Sequence, residues 1–266
     1  MGLEQAAPFL LGHIPGAAYL DTGQLESGPL WNKVPDPELL RVLLEHGIRH
    51  DSTVVLYGRN NLAAARAAHL LLYGGVADVR LLDGGLAAWN GAGLALARGP
   101  ARAHGAAAEF GATFPAHPEY LSDMRQVRQL LLRADGALVS IRTWEEFAGH
   151  TSGYSYITAR GDIPGALWGH AGKDGDINGM SEFHHADGSM REQAAILALW
   201  NGAGIDARRQ TAFYCGTGWR ASLAFFYAWL MGWPRISVYD GRWCEWSRDP
   251  ANPLLCRERK VDSNGN

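Results

Sequence analysis

The stretch "FYCGTGWRAS", Phe213 to Ser222, sets a cysteine directly after an apolar run, puts glycine at positions 216 and 218, and brings an arginine in at 220. A strand that ends in a glycine-rich turn and passes into a helix leaves the first backbone N–H groups of that helix unpaired. They converge on one point, where the helix dipole adds roughly half a positive charge. A thiolate held there is stabilised and becomes a nucleophile. Gly216 and Gly218 let the backbone fold around the sulfur, while Thr217 offers a hydroxyl, Trp219 continues the turn and Arg220 brings a permanent charge. Cys215 is therefore the candidate catalytic residue, and Gly216, Thr217, Gly218, Trp219 and Arg220 form the candidate substrate-binding loop.

Outward from this turn, strands and helices alternate. "ALVSI" (Ala137 to Ile141), "QTAFY" (Gln210 to Tyr214) and "ISVYD" (Ile236 to Asp240) read as short apolar strands separated by helical stretches. "SLAFFYAWLMGW" sets Leu223, Phe226, Tyr227 and Leu230 at helical spacing, which predicts one packed face. The alternation predicts an α/β fold with a mainly parallel sheet covered by helices. Ligands of such sheets gather at the carboxyl ends of the strands, where Cys215 sits.

The chain also repeats itself. "GHIPGA" (Gly12 to Ala17) returns as "GDIPGA" (Gly161 to Ala166), and "LLDGGLAAW" (Leu81 to Trp89) as "VYDGRWCEW" (Val238 to Trp246). From Val54 to Trp89 the halves align without a gap at a shift of 157, so that Tyr57 matches Tyr214 and Asp83 matches Asp240. A duplicated domain follows, each copy near the usual size of an independent unit. The expected boundaries are a first domain over 1–98, a linker over 99–117 that is rich in Ala and Gly, and a second domain over 118–257.

The formal charge of −3 provides no basic field for nucleic acid or an anionic membrane, so anion binding must be local and the partner small. The opening "MGLEQAAPFLLGHIPG" has no basic leader and too short an apolar run for a signal peptide or membrane span. Three cysteines, Cys215, Cys244 and Cys256, are too few for a disulfide framework and fit a reducing compartment, the cytoplasm.

Together, the paired "HIPGA" and "DIPGA" elements, the paired "LDGG" and "YDGR" elements, and "CGTGWR" in the second half alone resemble the tandem-domain rhodanese-like sulfurtransferases, the family of thiosulfate and 3-mercaptopyruvate sulfurtransferases. The resemblance covers almost the whole chain. It implies two rhodanese-like domains, each a mainly parallel sheet with helices on both faces. It also implies an enzyme that needs no cofactor or metal: Cys215 accepts a sulfane sulfur from a small anionic donor as a persulfide and passes it to a thiophilic acceptor, a small molecule or a thiol protein. Gly58 stands where the first half would carry its cysteine, so that half resembles the family's inactive domain; it also lacks the family's first strand. Ser140 stands where the family usually has an aspartate, while Arg142 is retained, so the resemblance alone does not imply a carboxylate-supported network around it. Arg142 and Tyr156 are candidate pocket residues.

Other readings compete. Phosphatases and arsenate reductases also cradle a reactive cysteine, but in a loop resembling Cys-x5-Arg, one residue longer than "CGTGWR". A non-catalytic binding module would have lost the cysteine. A further sulfur chemistry, transfer from polysulfide to a histidine-derived betaine, is implied by similar loops with an upstream "GYSY" segment, which this chain has at Gly153 to Tyr156. Cys244 and Cys256 read as packing or incidental thiols, His184 and His185 as surface-loop residues rather than metal ligands, and Trp168 as equally suited to a pocket or the core.

Overall fold

The computed structural model describes residues 3–100, 105–176 and 179–257. In the first half, α1 (Leu3–Leu11) precedes two short antiparallel strands, β1 (Glu26–Ser27) and β2 (Asn32–Lys33). Helix α2 (Asp36–Glu45) carries Asp36 and Glu38 in its first turn, where the dipole favours acid. A parallel unit follows: β3 (Thr53–Leu56), α3 (Asn61–Gly74), β4 (Asp78–Leu81) and α4 (Gly85–Gly91). Asn60 caps α3 by accepting from the Leu62 N–H, and Gly75 ends it at φ +101°.

The second half contains β5 (Leu121–Ser122), α5 (Met124–Leu131), β6 (Gly136–Ser140), α6 (Trp144–Ala148), β7 (Leu167–Trp168), α7 (Gln193–Gly202), β8 (Gln210–Tyr214), α8 (Trp219–Leu230), β9 (Ile236–Tyr239) and α9 (Arg242–Trp246). Its five strands form one parallel sheet in the order β5-β9-β8-β6-β7. Strand alternation divides the side chains between two faces. Val139, Phe213 and Val238 pack with Ile196 and Trp200 of α7 and with α8, whereas Leu138, Ala212, Tyr214 and Tyr239 pack with Val127 and Leu130 of α5, Phe147 of α6 and Trp243 of α9. Helices therefore cover both faces, as expected.

One expectation needs correction, and two others gain detail. Leu230 is 54% exposed rather than on the packed face of α8. The helix is instead buried around most of its circumference, Ala221 to Ala228 without a break, because α3 of the first half packs on the side turned away from the sheet. The expected linker is not a loose tether: its residues 101–104 lie outside the described residues, but beyond them Phe110 is buried, meets Phe114 edge to face at 5.2 Å, and accepts at its carbonyl from the His50 N–H. The apolar core is continuous between the halves. Finally, the first-half parallel sheet is smaller than the second: among the described residues β3 pairs with β4 alone, so Val55 is 58% exposed, whereas its counterpart Ala212, flanked by β6 and β9, is 1% exposed.

Candidate active site

Cys215 follows the last residue of β8, and α8 begins four positions later. Between them the chain turns through Gly218, whose φ of +106° suits only a residue without Cβ and aims its N–H at Cys215 Sγ, 3.0 Å away. Helix α9 pins the turn from outside. The Trp243 N–H donates to the Cys215 carbonyl at 3.0 Å, and the Cys244 N–H to that of Gly216 at 3.3 Å. Gly216 leaves no space: a Cβ there would overlap the ring of Tyr154.

Arg220 occupies the first turn of α8 but does not point a free charge into the pocket. It is 2% exposed, and its two terminal nitrogens form a fork on Glu146 at 2.7 and 2.9 Å, one of them also donating to Tyr154 Oη at 3.0 Å. Burial would raise the Glu146 carboxyl, but Arg220 and Arg142 outweigh it and hold the acid below its usual range. Burial pushes the Tyr154 phenol up to about 12, so it stays protonated at neutral pH. Glu146 also accepts from the Thr143 N–H, closing the cap of α6.

Arg142 is fully buried and reaches Glu146 at 3.4 Å, Asp162 at 3.2 Å and the Gly161 carbonyl at 2.7 Å. Asp162 in turn accepts from Ser140 Oγ at 2.8 Å and from the Tyr214 hydroxyl. This answers the question that Ser140 leaves open in the sequence. A carboxylate network is present, but its acid comes from the "GDIPGA" segment, which brings Asp162 against the end of β6. Arg142 thus braces the strand ends beneath the loop rather than facing a ligand.

A cavity of about 930 Å³ opens beside the loop, and Thr217, Trp219, Tyr154 and Tyr156 line it from the second half. Tyr156 is 50% exposed, and burial of its ring raises the phenol above its ordinary value. The opposite wall belongs to the first half, with Glu26 and Trp31 among its residues; Glu26 accepts from Trp219 Nε1 at 2.6 Å. Cys215 itself is 1% exposed, just behind Thr217. Cys244 is buried and Cys256 exposed, both free thiols. His184 is engaged by Tyr227 Oη at 2.7 Å and His185 by Glu192, so the two rings serve different partners. Trp168 donates to the Arg142 carbonyl and packs on His170, a structural contact.

Sequence reading missed Glu146, Tyr154, Asp162, Glu26 and Arg242. Tyr154, Asp162 and Arg242 lie within the "GYSY", "GDIPGA" and "YDGR" segments, and Glu146 had a local signal in the Thr-x-x-Glu capping pattern from Thr143.

A family model described as the rhodanese-like domain matches residues 4–92 and 121–249. The thiosulfate sulfurtransferase YnjE of Escherichia coli is 55% identical over 96% of this chain and 58% of its own length. Its crystal structure superposes with a TM-score of 0.92, covering 95% of this chain and 60% of that one. The chain thus spans about three-fifths of that relative. A probable 3-mercaptopyruvate sulfurtransferase of Pseudomonas aeruginosa is 34% identical over 91% of this chain and 84% of its own. The anaerobic ergothioneine biosynthesis enzyme from Chlorobium limicola, solved with trimethyl histidine as natural substrate, gives a TM-score of 0.89 at 42% identity, covering 96% of this chain and 63% of its own. The chain belongs to the rhodanese-like family and carries the domain twice.

Proposed function

We propose that the chain is a sulfurtransferase in which Cys215 carries the sulfur. The observation that carries this reading is the 3.0 Å approach of the Gly218 N–H to Cys215 Sγ at the start of α8. The thiolate attacks the outer sulfur of thiosulfate or polysulfide, or the single sulfur of mercaptopyruvate, whose C–S bond pair leaves as the enolate of pyruvate. A new S–S bond forms to Cys215, the donor's bond to that sulfur breaks, and its electron pair leaves with the remainder, sulfite in the case of thiosulfate. The anionic outer sulfur of the persulfide is held by the loop N–H groups and the helix dipole. An acceptor nucleophile, a small molecule or the thiol of a protein, then takes that sulfur and returns Cys215 as thiolate.

The domain over 118–257 holds this chemistry, while the domain over 1–98, with Gly58 in the cysteine position, supplies the far wall; 99–117 joins them. The fork of Arg220 on Glu146 argues against phosphoryl transfer, because a phosphate dianion needs a guanidinium that is free to turn toward it. Among the described residues no helix is long and apolar enough to cross a membrane, and the free thiols agree with a cytoplasmic protein.

A second acceptor reading is favoured by Tyr154 and Tyr156, whose rings lie 5.5 Å apart on the wall of the cavity: aromatic faces suit a quaternary ammonium group, as in a histidine-derived betaine. Intact mass after separate exposure to thiosulfate, mercaptopyruvate and polysulfide tests the reaction. Wild type should gain one sulfur atom from at least one donor, and Cys215→Ser from none, while Cys244→Ser and Cys256→Ser still load. Loading of Cys215→Ser would overturn the assignment. Subsequent addition of trimethyl histidine, cyanide or a thiol identifies the acceptor.

A further inference from the structure

Arg242 has a left-handed backbone, φ +58°, a conformation that bulky residues rarely adopt. Its counterpart in the first half at the same 157-residue shift is Gly85, also at φ +58°, where a glycine takes the turn without strain. The second half therefore keeps an arginine where its own duplicate shows that glycine suffices for the backbone. The side chain is fully buried and its guanidinium lies directly against Gly218: a Cβ on Gly218 would overlap Arg242 Nε and Cζ. Arg242 thus fills the space that Gly218 leaves beneath the turn that donates to Cys215.

What fixes the guanidinium comes largely from the first half. One terminal nitrogen donates to the Trp31 carbonyl. The other lies 3.2 Å from Asp240 and 3.6 Å from Glu26. Arg66 of α3 completes the cluster, 2.7 Å from Asp240 and 3.2 Å from Glu26. Two buried cations and two buried acids balance, and Glu26 also holds the Trp219 indole. Arg242 Nε, facing the loop, has no hydrogen-bond partner.

We propose that Arg242 is a positioning residue for sulfur transfer: it braces the Gly218 turn and adds positive potential behind Cys215, held in place by Glu26 and Arg66 of the domain that lacks a cysteine. This rests on the sulfurtransferase reading for its role in turnover, but the placement of the thiol can be measured independently.

The test uses the full chain in a Cys244→Ser, Cys256→Ser background, so that iodoacetamide reports on Cys215 alone. Arg242→Gly installs the residue of the first half. Because it leaves three charges in the cluster, the charge-balanced pair Arg242→Gly with Asp240→Asn is made beside it, along with Arg242→Lys. Thermal unfolding identifies the folded variants. Misplacing a reacting group by about 1 Å costs on the order of a hundredfold, so both alkylation of Cys215 and kcat for the donor should fall by about that factor in Arg242→Gly and in the double variant. KM should remain unchanged, and Arg242→Lys should recover part of both rates. Wild-type alkylation rates in either folded glycine variant, or an effect confined to KM, would overturn the proposal. Slowed alkylation together with no sulfur loading by wild type from any donor would uphold the positioning role and sink the sulfurtransferase reading instead.

Discussion

At the 157-residue shift β3 corresponds to β8, α3 to α8 and Asp83 to Asp240, and each aspartate accepts a backbone N–H from the opposite half, Asp240 from Lys33 at 2.9 Å and Asp83 from Met190 at 2.8 Å. The surroundings then diverge. Tyr214 donates to buried Asp162, whereas Tyr57 Oη accepts from the Ile14 N–H at 3.0 Å. Helix α8 has Leu223 and Phe226 where α3 has Arg66 and His69, and those two polar side chains are fully buried. One half uses its buried polar groups to brace the cysteine loop, and the other uses them to hold the partner domain. A cysteine at position 58 would therefore not make a second site. Glu146 and Asp162 belong to the second half, whereas the turn is clasped in both, by the Trp243 N–H on the Cys215 carbonyl at 3.0 Å and by the Leu86 N–H on the Gly58 carbonyl at 3.1 Å.

The sharpest break in this comparison is between the two turn glycines. Gly216→Ala drives a methyl group into the Tyr154 ring, which is itself tied to Arg220, so the loop must shift. Sulfur transfer should fall on the order of a hundredfold. At Gly58 a Cβ would press on the Asn60 carbonyl, straining a turn that carries no sulfur. Gly58→Ala should therefore leave transfer kinetics unchanged in the folded protein. Steady-state kinetics on both variants decide it, and equal losses would mean that the halves do not divide their labour in this way.

What the sequence disclosed was what is local. The cysteine turn, the strands around it and the duplication could all be read because they rest on short apolar runs, glycines at fixed offsets and an ungapped shift. The acids of the site could not, because their roles depend on contacts distant in the chain: Glu146 lies 74 positions from Arg220 and Asp162 lies 52 from Tyr214. Ser140 left the network open for the same reason, since the carboxylate is supplied from another segment. Leu230 fitted a helical face, but periodicity cannot reveal that a second helix covers the opposite side. The charge of Arg220 was legible, but its partner was not, because Glu146 lies on α6.

The paired aspartates give the next contrast. Asp240 is buried against Arg66 and Arg242, and although burial opposes its ionisation, the two arginines hold its carboxyl down at about 2. Asp240→Asn leaves two buried guanidinium groups facing the single charge of Glu26. Breaking such a cluster costs about 3 to 5 kcal/mol. Asp83 is exposed, and an asparagine there can accept from the Met190 N–H just as well. Asp83→Asn should change stability by no more than about 0.5 kcal/mol. Denaturant unfolding of the two variants measures both, and a comparable loss at Asp83 would show the clasps to be energetically equivalent.

The mildest contrast is one of pH, at the position where α3 has His69 and α8 has Phe226. His69 Nε2 donates to the Tyr120 carbonyl at 2.8 Å, leaving Nδ1 to accept from Arg66 at 3.3 Å. A second ring proton would face that guanidinium. Burial first and Arg66 second lower the ring from 6.5 to about 3. The unfolded chain therefore binds this proton from about pH 6.5 downward while the folded chain refuses it until about pH 3. Stability from this group is complete above pH 6.5 and declines as the pH falls through that window, by about 1.4 kcal/mol per unit. Between pH 6.5 and 4.5 the loss from this group is about 2 to 3 kcal/mol. His69→Gln can keep the bond to Tyr120 and has no proton to gain, so its stability curve should be flatter over this interval, the difference from wild type narrowing as the solution is acidified. Parallel slopes for the two proteins would mean that His69 is not held neutral, and that α3 meets the second half through an interface as indifferent to pH as the phenylalanine in its place would make it.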